Sequence, residues 1–156
     1  MRVLLTLWLA LLTGAAFAQK VEVKGETILV DGTPYAMIEQ DGCKLMDVQC
    51  MYYLKSLDGK RLFVVKQMQF VDPATVTAAH PDGRTLYLEY VFTAAGTHAE
   101  TNFPTTLHLR PIDVARKVVK AQLFANGTLN EQAAADFVTN NGTSFSERRK
   151  ALDALR

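Results

Sequence analysis

Four Asp-Gly pairs fall between residues 31 and 83: Asp31-Gly32, Asp41-Gly42, Asp58-Gly59 and Asp82-Gly83. Gly accepts positive φ and Asp tolerates the left-handed region, so each pair signals a tight reversal between antiparallel strands. A stretch that reverses this often has no room for long helices or parallel β-α-β units. What it can build is a meander of short strands. Two of the pairs share their surroundings, SLDGKRLFVV and HPDGRTLYLEY, both reading Asp-Gly-basic-x-Leu-aromatic-aliphatic. Two copies at unequal spacing mark recurring hairpin chemistry and do not establish a repeat architecture.

Strands are predicted at Val21–Lys24, Thr27–Val30, Pro34–Gln40, Val48–Ser56, Arg61–Val71, Thr85–Thr93 and Thr105–Arg110. Side chains alternate between the two faces of a sheet. Leu86, Leu88, Tyr90 and Phe92 therefore share one face, and Tyr87, Glu89, Val91 and Thr93 the other. Cys50, Tyr52 and Leu54 likewise alternate with Met51, Tyr53 and Lys55. The phase of the Arg61–Val71 strand is disturbed at Lys66-Gln67, which points to a bulge or a strong bend there.

From Pro111 the period changes. Pro111 suits the first position of a helix and Asp113 its first turn. This helix is expected to continue through DVARKVVKAQLF and stop at Asn126-Gly127. A second helix is predicted over Asn130 to Thr139, with Asn130 as N-cap and Asn140-Asn141-Gly142 as its end. A third begins at Ser144, with Glu147 completing a capping box. Strands first and helices last define an α+β fold. The expected architecture is a bent antiparallel sheet of about six or seven meandering strands, followed by two or three C-terminal helices packing on one face.

The first eighteen residues, MRVLLTLWLALLTGAAFA, read as a signal peptide. Arg2 supplies the positive start, an apolar run follows, and Ala16-Phe17-Ala18 offers small residues at the two positions a signal peptidase reads. Val3 to Ala18 is too short for a membrane span, which needs roughly 20 apolar residues. No later segment is apolar for long enough either. The expected organisation is thus a signal peptide at 1–18 and one exported domain at 19–156, β-rich over 19–110 and helical over 111–156. A periplasmic or secreted location follows. Without Arg2 the 17 basic side chains become 16, equal to the 16 acidic ones. That balance weighs against nucleic acid or an anionic membrane as partner.

Cys43 and Cys50 are the two cysteines, and export permits a disulfide between them. On a single strand, a separation of seven would point them to opposite faces. A reversal between Leu45 and Val48 would instead make them cross-strand partners. Met46-Asp47 is poor turn chemistry, which weighs toward separate thiols, so bridge, separate thiols and a redox or metal role all stay open at this stage.

Motifs for catalysis are weak. His98 and Glu100 in the Gly- and Ala-rich GTHAE stretch, with His108, could be imagined as metal ligands, but ligand spacing such as His-x-x-x-His is absent. No Gly-x-Ser-x-Gly elbow is present, and phosphate-cradling glycine loops are missing, so no cofactor is expected. Cys50 falls on an apolar face, where a thiol stays protonated and inert. Glu89, set among Tyr87 and Val91, is the carboxylate whose pKa burial could raise.

One feature rises above this background. The sheet face opposite the assigned core carries Tyr35, Met37, Met51, Tyr53, Phe63 and Tyr87, together with Val65 and Val91. An antiparallel sheet with one wet side normally shows a polar face there. Three arrangements account for it: the sheet curls so that both faces are partly covered, it encloses an apolar ligand against the helices, or it docks a protein through the aromatic and Met side chains. The leading expectation is an exported, soluble, non-catalytic protein-interaction module of unidentified partner, with those six residues as candidate binding positions. A carrier of a small apolar ligand in a sheet–helix cavity comes second. A hydrolase built on His98, His108, Glu89 or a cysteine comes third.

Overall fold

The computed structural model describes residues 19–43, 50–103 and 108–155; the expected signal peptide and the Met46 reversal point lie outside these ranges. Seven antiparallel strands are hydrogen-bonded in sequence order, each to the next. They are β1 (Val21–Lys24), β2 (Thr27–Val30), β3 (Thr33–Asp41), β4 (Met51–Lys55), β5 (Arg61–Val71), β6 (Arg84–Phe92) and β7 (Thr97–Asn102). All four Asp-Gly pairs lie at turns or bends outside the strand interiors, each Gly with positive φ. A single 3₁₀ turn at Pro73–Thr75, capped by the Asp72 side chain, breaks the β5–β6 connection. Helix α1 (Pro111–Lys120) is followed by a small hairpin of β8 (Phe124–Ala125) and β9 (Thr128–Leu129), then by α2 (Glu131–Asn141) and α3 (Ser144–Asp153). The chain is therefore an α+β fold, a seven-stranded antiparallel sheet with three C-terminal helices.

The core lies between one sheet face and the first two helices. Ile38, Tyr52, Leu54, Phe63, Val65, Leu88, Tyr90 and Phe92 meet Val114, Ala115, Val118 and Val119 of α1, with Leu123, Phe124 and Ala134 beside them. α1 packs against β1 and β3, while its Lys117 donates to Thr101 and Asn102 of β7. A helix that reaches both ends of the strand order requires the sheet to curl around it. α2 lies along β7 and sets Phe137 edge-on to Tyr90. The expectation of helices on one face is met by α1 and α2. α3 passes the β7 edge, where Glu100 N–H donates to the Gly142 carbonyl, and its Phe145 ring stacks on Tyr87 of the opposite face at 5.0 Å.

Several expected details are corrected. The seventh strand is Thr97–Asn102, where no strand was expected; of the proposed Thr105–Arg110 segment, residues 108–110 form no strand and 105–107 lie outside the described residues. The β5–β6 register runs unbroken from Phe63↔Phe92 to Val71↔Arg84, so Lys66-Gln67 carries no bulge on that side. The irregularity lies instead opposite Leu54 and Lys55, where Leu62 is the extra residue. A second shift, between Ile28 and Leu29, makes Tyr35 an extra residue in β3.

α1 ends six residues before Asn126. Gln122 adopts φ 53°, the Leu123 N–H reaches back to the Val118 carbonyl at 3.2 Å, and the Gln122 N–H reaches Val119 at 2.9 Å. This is a Schellman ending with glutamine in the place usually held by glycine. Asn126-Gly127, with φ of 51° and 75°, forms the two-residue turn of the β8–β9 hairpin, a use of the pair as common as capping. The hairpin docks on the β4–β5 turn, where the Leu57 N–H bonds the Gly127 carbonyl.

Candidate functional site

The sheet face opposite the core is organised in transverse rows, because directly opposed residues of antiparallel strands point the same way. One row runs Glu39, Tyr53, Val64, Val91, His98 and the next runs Asp41, Met51, Lys66, Glu89, Glu100. The first row is apolar at its centre and charged or polar at its ends. Tyr53, Met51, Met37 and Val91 are all partly exposed. Around them the charges are paired across strands. Lys55 and Arg61 hold Glu39 at 2.7 and 3.1 Å, and Lys66 and His98 approach Glu89 at 3.7 and 3.3 Å. The Lys55 and Arg61 hydrogen bonds keep the Glu39 carboxyl below its ordinary pKa. The Arg61 guanidinium also lies 4.1 Å from the Tyr53 ring centroid, within cation–π range.

Only three of the six candidate binding residues stay partly exposed on this open face: Met37, Met51 and Tyr53. Phe63 is fully buried in the core beside Phe92 and Phe124, and Val65 is buried with it. The Leu62 bulge changes the phase of β5 relative to its start and turns both inward. Tyr35 packs against Phe124, and its hydroxyl accepts the Phe124 N–H at 3.1 Å. Burial raises the Tyr35 pKa, partly offset by that bond. Tyr87 lies on the open side, but Phe145 and Phe70 cover its ring. The excess of apolar residues seen in the sequence thus resolves into two bulges and one covering helix, leaving a smaller strip. Val64, at the centre of that strip between Tyr53 and Val91, is buried at 8% exposure and is the member that sequence reasoning missed.

The titratable residues singled out earlier are put to structural use. Glu100 accepts from the Phe145 and Ser146 N–H groups at 2.8 and 3.1 Å, capping α3. His98 and Glu100 share a face, yet each is committed to a different partner, and His108 lies in the bend before α1. Among the described residues, no three His, Cys, Asp or Glu side chains are placed to hold a metal ion. Cys43 and Cys50 are joined in a disulfide with Cα atoms 4.5 Å apart, which removes both thiols from nucleophilic chemistry. The bridge closes the β3–β4 connection, and bonds of this kind persist in oxidising compartments.

Asp113 is held below the usual carboxylate range chiefly by the Arg110 guanidinium, and Asp72 by that of Arg148. Tyr52 is pushed up to about 12 by burial and by the nearby Asp113 charge, and its hydroxyl donates to the Leu109 carbonyl at 2.7 Å.

A pocket of about 480 Å³ opens between the β6–β7 turn and α2, lined mainly by Phe92, Ala95, Leu129, Ala134 and Val138, with Thr97 and Glu131 as polar neighbours. No helix among the described residues is long and apolar enough to cross a membrane. Compared with protein-family models, curated proteins and solved structures, the chain finds no match.

Proposed function

We propose that the protein is an exported, non-catalytic binding module that docks a protein partner through its open sheet face. The observation that carries this reading is the Glu39–Tyr53–Val64–Val91–His98 row. It joins an aromatic and aliphatic centre to a rim of Lys, Arg and Glu already paired with one another. An apolar centre inside a polar rim, with Tyr, Met and Arg prominent, is the composition of a protein interface. The disulfide and the hydrophobic N-terminal segment favour a site of action outside the cytoplasm. The partner this face fits presents an apolar ridge flanked by charges of both signs.

A photo-crosslinking residue at position 53, compared with the same residue at Arg116 on α1, tests the reading in the native host. A discrete adduct from position 53 alone, abolished by Val91→Glu in a protein with unchanged circular dichroism, is the expected result. Adducts from both positions, or from neither, would overturn it. A second reading, a carrier of a small apolar ligand, is favoured by the 480 Å³ pocket, which exceeds the size such a site needs. Native mass spectrometry of protein purified from its own host distinguishes the two. A stoichiometric small-molecule adduct lost in Ala134→Trp supports the carrier, and an unmodified mass removes it.

A further inference from the structure

A cleft of about 540 Å³ lies where the β7 edge meets the C-terminal end of α1, the end of α2 and the start of α3. Its lining combines Lys117 and Lys120 with Asn140 and Ser144, and Phe137 and Phe145 add aromatic surface. Lys117 is half-buried, and its ammonium donates to Thr101 Oγ1 at 3.2 Å and to the Asn102 carbonyl at 3.1 Å. An ammonium has three donors, so one is unspent. Among the described residues, neither lysine has a carboxylate within ion-pair distance. Burial lowers the Lys117 pKa, and the Lys120 charge lowers it further. A cationic pair in this condition lacks a counter-ion.

Lysines in the last turn of a helix also complement its dipole. That accounts for their sign, but not for seating Lys117 half-buried in a cleft that also presents two phenylalanine side chains. The acid in the lining, Glu100, makes no ion pair with either lysine; its Oε2 accepts from the Phe145 and Ser146 amides.

We propose that the cleft binds an amphipathic carboxylate, its anionic head on Lys117 and Lys120 and its apolar body against Phe137 and Phe145. A compact phosphate would fit the chemistry less well. The first amides of α3 are already occupied, no guanidinium lines the cleft, and the aromatic surface would go unused. The cleft shares no lining residue with the 480 Å³ pocket or with the Glu39–Tyr53–Val64–Val91–His98 row, so it stands or falls independently of the docking reading.

Isothermal titration with 3-phenylpropionate provides the test, with 3-phenylpropanol as the neutral counterpart and inorganic phosphate as competitor. One-to-one binding of the acid is expected, with the alcohol weaker by about tenfold or more, as removal of a charge-assisted contact requires. Lys117→Gln and Lys120→Gln should each weaken the acid by about tenfold, and Lys24→Gln should not. The Lys120 side chain is exposed and makes no hydrogen bond to the protein, so its variant keeps the test valid should Lys117→Gln misfold. No saturable binding at millimolar acid, equal binding of the alcohol, undiminished binding by Lys120→Gln, or displacement by equimolar phosphate would each overturn the proposal.

Discussion

A glutamate carboxylate sealed at a sheet edge is costly unless hydrogen-bond donors meet its charge, and Glu100 has the first amides of α3 for that purpose. Asp113 does the same at α1, accepting the Arg110 N–H and guanidinium. In the sequence, Asp113 is legible because cap and helix are neighbours. Glu100 is not, since it caps a helix 45 residues later. No local pattern distinguishes it from a metal ligand beside His98. Its role makes a graded prediction. Glu100→Ala strips both amides of their acceptor and should cost about 1–2 kcal/mol. Glu100→Gln keeps an acceptor oxygen and loses the favourable charge at the helix N-terminus, a smaller loss of about 0.5 kcal/mol. Urea unfolding of both variants checks the order; an alanine variant as stable as the parent would remove the capping role.

Among elements, those defined by their own pattern were readable and those defined by their neighbours were not. β1, β2 and β5 begin and end where alternation and turn residues place them. β7 reads Thr-His-Ala-Glu-Thr-Asn, with no aliphatic residue beyond Ala99. It is a strand because β6 pairs with it, and Ala99 is small because α2 packs along that edge. The bulges at Tyr35 and Leu62 leave no sequence mark, yet they decide whether Tyr35, Phe63 and Val65 face the core. The Cys43–Cys50 bridge belongs to the same class, since a loop with poor turn chemistry still brings its ends together. Cross-linking a loop this short restricts the unfolded chain modestly, by about 2 kcal/mol. Reduction and alkylation should therefore lower stability by about that amount and leave the fold intact. Urea unfolding with and without reductant measures it, and complete unfolding on reduction would show the bridge to be indispensable to the hairpin.

At the scale of the whole molecule, the sheet and α1 form the cohesive unit, and α3 is attached to it at separate points. β5 and β6 pair over nine positions at the inner part of the strand order, and Val65, Leu88 and Tyr90 are fully buried there. α1 packs on β1 and β3 and reaches β7 through Lys117, and its Val114, Ala115 and Val118 are fully buried. α3 has no buried residue of its own. The Glu100 cap, the Phe145–Tyr87 stack and the two Asp72–Arg148 hydrogen bonds at 2.9 and 3.0 Å hold it. Burial, more than local hydrogen bonding, sets the free energy of opening, so a helix held this way opens before the sheet does. Amides of α3 should exchange with solvent by local opening at least about tenfold faster than those of β5 and β6, which should exchange only by global unfolding. Asp72→Asn weakens one attachment and should speed exchange in α3 while leaving the ratio of β5 exchange to global stability unchanged. Hydrogen exchange followed by mass spectrometry at low urea separates the two classes. Equal protection and equal urea dependence in α3 and β5 would mean that the helix is part of the cooperative core despite its exposure.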